Sequence, residues 1–389
     1  QRDSSITTAS DIAEIRKAVS IKDFELLCMI GKGAFGKVFQ VRSRVDGKVY
    51  AMKGISKRFL KRKNWVSSLK AERDILTKVQ HPFIVSLQCS FQTSEKLYLV
   101  MKFLAGGELF FHLTKDGLLL EDVAVFYTAE ILLALEFLHS MNIIHRDLKP
   151  ENVLLDGEGH VQLTDFGLSK ELREESEDGR VRTVCGSNEY MAPEMISRKG
   201  YGKPADWWSM GALVYEMMVG RPPFRAKTNK DLNRKILNEK VKVPSWLSPQ
   251  AHSLIKGLLE RNVSKRLGCA KSTMFKIGGV REAMDHKFFR HIDWQRLEKR
   301  QVVPPIQPVI EADTDTTYFD EEFTSMSIPR SAHVDEPDCS VGGSTCPSSV
   351  AGDPLGTQDD KDLFYGFSFI SPDWGPGQGV LAGGQKQQV

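Results

Sequence analysis

The chain's 389 residues exceed what one hydrophobic core usually supports, so two lobes and an appended segment are expected. Apolar residues make up 41% and charged residues 26%, which excludes a collagenous, largely disordered or membrane-embedded chain. The formal charge of +3, from 53 basic and 50 acidic side chains, is too balanced to predict wholesale binding to nucleic acid or membranes. Any recognition by charge must therefore be local.

Cysteine usage favours a reducing compartment. The six cysteines are scattered without a C-x-x-C pair, so neither a disulfide framework nor a zinc site is predicted. Apolar runs such as 131–135 are shorter than the roughly 20 residues that a membrane-spanning helix needs, and no apolar signal stretch is apparent. We expect a cytoplasmic protein, with the nucleus as an alternative. Because the chain opens at Gln1 without a methionine, a whole protein and a fragment lacking regulatory domains both stay open.

The predicted elements change character along the chain. Residues 1–20 are polar, and β-favouring runs punctuated by glycines begin at Phe24. One helix is predicted over 66–79, among strand-like runs that extend to Met101. After Gly107 the pattern is mainly helical, with helices expected over 122–139, 207–219 and 251–259. Beyond about residue 300 the composition shifts to Pro, Ser, Thr, Gly and acids, so that segment is not expected to fold alone.

A glycine-rich run lies between two strand-like segments near the start of the folded part. Glycines let backbone N–H groups approach phosphate oxygens closely, so the run predicts a phosphate-binding hairpin. The same G-x-G-x-x-G spacing opens dinucleotide-binding units, but there the third glycine leads into a helix, and here a strand-like run follows. The candidate nucleotide contacts in this run are Gly31, Lys32, Gly33, Ala34, Phe35, Gly36 and Val38.

Lys53 ends the next strand-like run, where its ammonium group could hold phosphates. A lysine at a strand end is usually only solvated. An isolated buried ammonium would, however, be costly or lose its proton, and Glu72 on the predicted helix is a suitable counter-ion. We expect an ion pair that orders the lysine.

The strongest signal is the run His145-Arg146-Asp147-Leu148-Lys149-Pro150-Glu151-Asn152, followed by Asp165-Phe166-Gly167. These residues supply a base, a phosphate contact and two metal ligands within a short stretch. With them, the sequence resembles the eukaryotic protein kinases. The segment 191–194 matches the end of the family's activation segment, and Asp206 and Arg266 match its buried supports.

This resemblance implies an α+β, bilobal protein kinase fold with a C-terminal tail. A catalytic domain over 21–289 would comprise a small β-rich N-lobe, 21–103, and a larger helical C-lobe, 104–289, after an extension over 1–20. Asp147 would accept the proton of a substrate hydroxyl and Lys149 would stabilise the transferring phosphoryl group. Asn152 and Asp165 would bind Mg²⁺.

The implied cofactors are ATP and Mg²⁺, and the implied adenine site is the segment after Met101. Related kinases usually have glutamate where this chain has Lys102, a departure that leaves main-chain contacts to adenine intact. Ribose or a substrate arginine would meet Glu108. The implied contacts to the nucleotide outside the glycine-rich run are Ala51, Lys53, Met101, Lys102, Leu104 and Glu108.

The segment 183–194 looks like the activation loop of the AGC kinases, which implies serine and threonine specificity and an activating phosphate on Thr183. That phosphate would pair with Arg146 and Lys170. In the tail, 323–329 resembles the turn motif and 364–369 the hydrophobic motif of this group, with Ser327 and Ser368 as phosphosites. The implied AGC tail covers 290–370, and 371–389 is expected to be flexible. The tail looks most like that of the ribosomal protein S-six kinases.

Four residues match family positions that hold the substrate peptide: Glu108, Glu151, Ser187 and Glu216. The three acids would receive arginines before the phospho-acceptor. Protein substrates and an upstream activating kinase are the implied partners, and the oligomeric state is left unassigned.

Two alternative functions are weighed. A pseudokinase scaffold is disfavoured because every catalytic position is present, and a small-molecule phosphotransferase is opposed by the complete activation segment. The basic cluster over 57–63 is interpreted as a solvated helix face or phosphate-binding rim, with nuclear import as the alternative.

Overall fold

The glycine-punctuated runs of the N-terminal part form an antiparallel sheet. The structure, a computed structural model, describes residues 19–33, 36–172, 181–183, 185–269, 279–327, 363–372 and 374, without the side chains of 114–116. Its strands are β1 Phe24–Lys32, β2 Lys37–Ser43, β3 Val49–Ser56, β4 Leu87–Gln92, β5 Lys96–Lys102, β6 Ile143–Ile144, β7 Val153–Leu155, β8 Val161–Leu163, β9 Lys170–Glu171 and β10 Phe369–Ile370. The main sheet has the order β1-β2-β3-β5-β4-β10, while β6 pairs with β9 and β7 with β8.

Two helices accompany this sheet, α1 Lys57–Lys63 and α2 Val66–Lys78. The first is short and begins where the Ser56 side chain accepts a hydrogen bond from the Phe59 N–H group. The second matches the predicted helix to within a residue and buries Leu69, Glu72 and Ile75 at helical spacing. It packs against the short 3₁₀ turn Phe166–Leu168, which belongs to the other lobe. This helix therefore connects the two lobes at the site.

The second lobe is helical, as predicted. Its helices are α3 Leu109–Asp116, α4 Glu121–Ser140, α5 Pro193–Ile196, α6 Pro204–Val219, α7 Asn229–Asn238, α8 Pro249–Leu258, α9 Val280–Met284 and α10 Trp294–Glu298, with α11 Glu321–Thr324 in the tail. Proline occupies the first position of α5, α6 and α8, where a missing N–H group costs no hydrogen bond. The β-rich and helical lobes together confirm the α+β, bilobal fold.

Helix α4 is longer and more apolar than the short run 131–135 suggested. An 18-residue window of this 20-residue helix has a mean hydropathy of 1.4, so the helix would by length and composition suffice to cross a membrane. In the fold, 72% of that window is buried inside the protein, and the helix packs against α6. The burial is that of a core helix, and the apolar composition is explained by packing on all sides.

The tail after α10 folds onto both lobes. In the first part the Ile306 N–H group donates to the Tyr127 hydroxyl at 3.2 Å, and Arg42 of β2 pairs with Asp313 at 2.9 Å. The last part, 363–372 and 374, adds β10 to the edge of the sheet beside β4. The expected flexible segment over 371–389 therefore needs a correction at its start, because Ser371 is 7% exposed and Trp374 stacks on Phe24. The packed tail extends to residue 374.

Candidate active site

The loop that carries the strongest sequence signal is held by one buried carboxylate. Asp206, at the start of α6, accepts hydrogen bonds from the main-chain N–H groups of His145 at 3.0 Å and Arg146 at 2.9 Å. The His139 Nε2 atom lies 2.7 Å from the same carboxylate. Burial alone would raise the pKa of Asp206, but these donors lower it. They fix the loop, including Arg146 at its uncommon φ of 68°.

Asp147 projects from this loop into a set of hydrogen-bond donors. Its Oδ1 atom accepts from Ser187, at 2.9 Å from the backbone N–H group and 3.1 Å from the hydroxyl. Its Oδ2 atom accepts from Asn152 at 3.3 Å and lies 3.0 Å from the Lys149 Nζ atom. Burial would lower the pKa of Lys149, but Asp147 more than offsets this and the pKa is raised. The carboxylate of Asp147 is thereby oriented beside the ammonium group of Lys149, which stays protonated.

Ser187 reaches Asp147 because Gly186 precedes it. Gly186 has a φ of 102°, and a Cβ atom there would lie 2.7 Å from the Arg146 carbonyl oxygen. Only glycine accepts this backbone conformation and this close approach without strain. The activation segment can therefore lie directly on the catalytic loop.

Lys53, Glu72 and Asp165 form a second charged group between the lobes. The Lys53 Nζ atom lies 2.7 Å from Glu72 Oε1 on α2 and 3.0 Å from Asp165 Oδ1. Burial would lower the pKa of Lys53, but the two carboxylates outweigh it and the pKa is raised. Lys53 in turn lowers the pKa of Asp165. The lysine is 7% exposed and remains a cation.

The glycine-rich hairpin lies beside the strand that carries this lysine, with Val38 opposite Lys53. In the register of β1 with β2, Gly31 lies opposite Val38 and Lys32 opposite Lys37, and the Gly33 N–H group donates to the Gly36 carbonyl at 2.9 Å. A Cβ atom on Gly36 would lie 2.1 Å from the Gly54 carbonyl oxygen, so close packing on β3 requires glycine there. The predicted contacts Ala34 and Phe35 lie outside the described residues.

The connection between the lobes starts at the end of β5. Met101 lies opposite Ala51 across β3 and β5, and Leu104 is buried. Lys102, the departure from the family pattern, turns its Nζ atom toward the buried carboxylate of Asp156 at 3.3 Å. Asp156 also accepts from Arg300 of the tail at 2.6 Å. The unusual lysine thus ties the interlobe connection to the C-lobe and the tail.

Of the three predicted peptide-binding acids, Glu151 lies within electrostatic range of both Glu108 and Glu216. Partial burial raises the pKa of Glu108 to about 7, with further contributions from Glu151 and Asp320, although part of its side chain is exposed. Burial also raises the pKa of Glu216, and Glu151 adds to this shift. Glu216 accepts a hydrogen bond from the Tyr190 hydroxyl. Lys149 and Arg225 partly offset these shifts, lowering the pKa of Glu108 and of Glu216 respectively.

Comparisons with known proteins agree with this geometry. Residues 24–289 match the protein kinase domain, and residues 310–369 match the protein kinase C terminal domain. The chain belongs to the protein kinase family. Among curated relatives, the serine/threonine-protein kinase AtPK1/AtPK6 of Arabidopsis thaliana is 48% identical over 318 residues, covering 82% of this chain and 66% of the relative. The ribosomal protein S6 kinase beta of Caenorhabditis elegans is 44% identical over 368 residues, covering 94% of this chain and 62% of the relative.

A RAC family serine/threonine-protein kinase homolog of Dictyostelium discoideum is 44% identical over 353 residues, covering 91% of this chain and 73% of the relative. The matches confirm the resemblance to the AGC kinases, and a ribosomal protein S6 kinase is among the relatives. The chain spans about two thirds of the length of the two Arabidopsis relatives, 66% and 65%. Kinases of this family use ATP and Mg²⁺.

The kinase's activation segment is held by a tyrosine that the sequence did not single out. The Tyr201 hydroxyl donates to the Thr183 carbonyl at 2.7 Å and accepts from Arg146 at 3.4 Å. The Arg146 guanidinium also donates to the carbonyls of Leu168 and Ser169. Thr183 itself is exposed, as is Lys170. Arg146 therefore lies at the activation segment, bonded to main-chain oxygens and a hydroxyl.

The hydrophobic motif of the tail docks beside α2. Phe364 and Phe367 are almost fully buried, at 1% and 0% exposure. The Lys57 ammonium lies 5.1 Å from the Phe364 ring centre and the Arg73 guanidinium 5.8 Å from that of Phe367. Ser368 between these anchors and β10 is exposed.

Two further parts of the tail bear on the expected roles. Ser327, the predicted turn-motif phosphosite, is exposed at the end of its described segment. Phe319 stacks on Phe103 of the interlobe connection with ring centres 5.5 Å apart. The tail thus lies against the interlobe connection as well as against α2.

The donor set fits Mg²⁺ that arrives with a nucleotide. The Asn152 Nδ2 atom donates to the Asp147 carbonyl at 2.8 Å, so its amide oxygen is the atom for ligation, and Asp165 presents a carboxylate. Within the described ranges, no three His, Cys, Asp or Glu side chains gather into a metal site. The ion would therefore need phosphate oxygens and water to complete its shell, which is how Mg²⁺ is usually held at phosphoryl-transfer sites.

Sequence reasoning missed Tyr201, Asp156, Arg300 and Trp374. Each acts through a partner more than 15 positions away, and neither periodicity nor composition reports such a pairing. The signal for Lys102 was present, since its departure from glutamate was noticed, but its partners were not. For Trp374 the only signal was a large aromatic residue in a segment rich in glycine and proline.

Proposed function

We propose that this chain transfers the γ-phosphoryl group of ATP to serine or threonine hydroxyls of protein substrates. The observation that carries the proposal is the pairing of two complete groups: Asp147 with its oriented donors, and the Lys53 ion pair with Glu72. The first suits deprotonation of a hydroxyl and the second suits the binding of phosphates. The named serine/threonine kinases among the relatives support the same activity.

Asp147 would hold the substrate hydroxyl and take its proton, because both of its oxygens are already oriented by hydrogen bonds. Lys149, beside it, would stabilise the negative charge of the transferring phosphoryl group in the transition state. Ser187 would keep the activation segment and the peptide next to this base. These residues position the reacting groups and stabilise charge, and these two effects account for most of the catalysis of phosphoryl transfer by proteins.

Lys53 would bind the α- and β-phosphates, with Glu72 holding its ammonium in place. The carbonyl of Lys102 and the N–H group of Leu104 are the proposed main-chain contacts to adenine, with Val38 and Ala51 against the ring. Asn152 and Asp165 would ligate the metal. When bound, Mg²⁺ would neutralise charge on the phosphate oxygens.

The expected substrates are peptides with arginines before the acceptor residue. Burial raises the pKa of both Glu108 and Glu216, and the nearby charge of Glu151 adds to each shift. A guanidinium group would neutralise these carboxylates and make charge-assisted hydrogen bonds.

Phosphorylation of Thr183 by an upstream kinase, and of Ser327 and Ser368 in the tail, would regulate the activity. The scaffold alternative is disfavoured by the complete catalytic groups.

The test is Mg²⁺-dependent transfer of labelled phosphate from ATP to an arginine-containing serine peptide by the full chain, before and after phosphorylation of Thr183. We expect transfer to serine and threonine peptides, little transfer to a matched tyrosine peptide, and an increase after phosphorylation. Asp147→Asn should lose about 10²-fold or more in kcat with ATP affinity nearly intact. ATP binding without transfer in either phosphorylation state would contradict the proposal and favour a scaffold.

A further inference from the structure

The tail does not end its docking at the hydrophobic motif. In β10, Phe369 lies opposite Ser90 and Ile370 opposite Cys89. Successive side chains of a strand point to opposite faces. Phe369 packs against the core cluster that includes α2, and Ile370 packs against the cluster on the other face of the N-lobe sheet. The chain therefore passes over the sheet edge between the two faces.

Beyond β10 the main chain turns onto that second face. The Ser371 N–H group donates to the Gln88 carbonyl at 2.8 Å, which extends the pairing by one residue. The Trp374 N–H group then donates to the Ser371 carbonyl at 3.1 Å and closes a turn. Ser371 is 7% exposed. These bonds place Trp374 against the sheet.

Trp374 completes a stack of four aromatic rings on this face. Tyr98 stacks on Phe91 with ring centres 4.9 Å apart, Phe91 on Phe24 at 5.7 Å, and Phe24 on Trp374 at 6.2 Å. The interplanar angles along the stack are 19°, 6° and 23°. Stacked aromatic pairs stabilise beyond the burial of their area. The first three rings come from β1, β4 and β5, so the face is formed by the sheet and capped by the tail.

We propose that Trp374 is a positioning residue that holds the hydrophobic motif in place from the opposite face of the sheet. The motif's phenylalanines lie on the α2 side of the sheet and Trp374 lies on the other side, so edge strand β10 has an anchor on each face. A strand of two residues contributes little by itself, since each hydrogen bond replaces one to water. Anchors at both ends are therefore needed to keep β10 paired.

Docking of the tail affects the Lys53 ion pair with Glu72 because Phe367 packs on α2. This ring lies under Arg73, the residue after Glu72 on α2. If the tail lifts, α2 loses packing at Arg73, the residue next to Glu72. Trp374 would thus favour the arrangement in which Lys53 and Glu72 meet. This role rests on the proposed kinase function, but the docking itself does not.

The first experiment measures docking without reference to activity. Hydrogen exchange of the tail peptide 363–374 would be compared in the full wild-type chain, Trp374→Ala, Trp374→Phe and the control Tyr365→Ala, whose side chain is 83% exposed. We expect exchange at Phe369, Ile370 and Ser371 to be roughly tenfold faster in Trp374→Ala. Trp374→Phe should recover most of the protection, and Tyr365→Ala should match wild type.

The second experiment supplies the tail in trans. The full-chain triple variant Phe364→Ala/Phe367→Ala/Trp374→Ala, which lacks all three anchors of its own tail, would be titrated with two synthetic peptides, 363–370 and 363–374. Phosphorylation of a substrate peptide would be measured. We expect the longer peptide to activate at roughly tenfold lower concentration, and its Trp374→Ala form to behave like the shorter one. A kcat effect without a change in thermal unfolding of the kinase domain separates positioning from general stability.

Unchanged exchange in Trp374→Ala would overturn the proposal, as would equal half-maximal concentrations for the two peptides. Failure of the proposed function looks different. In that case the wild-type chain would show no transfer at all, while the exchange experiment would still report whether Trp374 holds the tail.

Discussion

The two charged groups of the site are anchored in different ways. The catalytic loop is held by Asp206, which is fully buried and bonds two consecutive N–H groups of the loop. The Lys53 ion pair joins a strand to α2, and α2 packs against the tail and the turn after Asp165. One half is fixed within the core of a single lobe. The other half depends on segments that come from three parts of the chain.

The difference indicates where control can act. A loop bonded through buried backbone groups has one low-energy arrangement, because every alternative leaves N–H groups unpaired. A helix held partly by a docked tail can shift when the tail leaves, at a cost of a few surface and aromatic contacts. We infer that Asp147, the proposed base, is fixed by the fold and that Lys53, the proposed phosphate-binding residue, is the adjustable part.

The largest effect is expected from breaking the fixed half. Asp206→Ala would leave two loop N–H groups and His139 without their acceptor, so we expect the free energy of unfolding to fall by about 3 kcal/mol or more. Activity should fall by at least 10²-fold because Asp147 loses its support. Chemical denaturation and kcat measure the two effects. Asp285→Ala, an exposed acid, is the control, and wild-type stability in Asp206→Ala would show that the loop does not depend on this anchor.

A smaller effect is expected from breaking the adjustable half. Glu72→Gln keeps the shape and removes the charge, leaving Lys53 with Asp165 as its charged partner. We expect kcat/KM for ATP to fall about 10- to 10²-fold with little change in the unfolding midpoint, because the lysine is misplaced and the core is intact. Glu171→Gln, in an exposed pair with Lys78 at 3.1 Å, is the matched control. Equal kinetics in the two variants would contradict the role given to Glu72.

The role of Glu108 in binding the substrate peptide can be tested by the pH dependence of the peptide's KM. Glu108, with a pKa of about 7, is largely protonated below that pH and charged above it. Burial raises this pKa most, Glu151 and Asp320 raise it further, and Lys149 lowers it. An arginine peptide binds the carboxylate form, so its KM should fall several-fold as the pH rises from 6 to 8. Glu108→Gln should flatten that dependence. A profile that is the same in both proteins would remove Glu108 from peptide binding.

The smallest effect concerns the connection between the two halves. Lys102→Met removes an ion pair whose lysine is 46% exposed, while Arg300 still neutralises Asp156. We expect a loss of less than about 1 kcal/mol in unfolding free energy and unchanged kcat. Lys240→Met, an exposed lysine after α7, serves as the control in the same denaturation series. A fall of several kcal/mol in the free energy of unfolding would mean that Asp156 is neutralised mainly by Lys102 and not by Arg300.

The sequence predicted features that lie in continuous runs. The order from His145 to Asn152, followed by Asp165, indicated the catalytic loop. The structure brings the side chains of Lys149 and Asn152 within hydrogen-bond reach of Asp147. The Lys53 pair with Glu72 was expected on physical grounds and is present at 2.7 Å. Helix α2 was predicted to within a residue because three apolar positions recur at helical spacing.

What the sequence did not reveal depends on contacts between distant segments. Trp374 stacks on Phe24, some 350 positions away, and a lone aromatic residue among glycines and prolines has no periodicity that predicts its partner. Tyr201 was indistinguishable from any core tyrosine until the activation segment was in place. The boundary at 370 was placed where the recognisable motif ends, whereas docking continues to 374.

The most direct test of this comparison is a double-mutant cycle on the single-turnover rate of phosphoryl transfer, combining Phe367→Ala with Glu72→Gln. If the tail acts through the Lys53 pair, the double variant will be no slower than Glu72→Gln alone, while Phe367→Ala combined with Ser187→Ala will show additive losses. Additive losses in the first cycle would contradict the account, since the tail would then act on catalysis by a route that bypasses the ion pair.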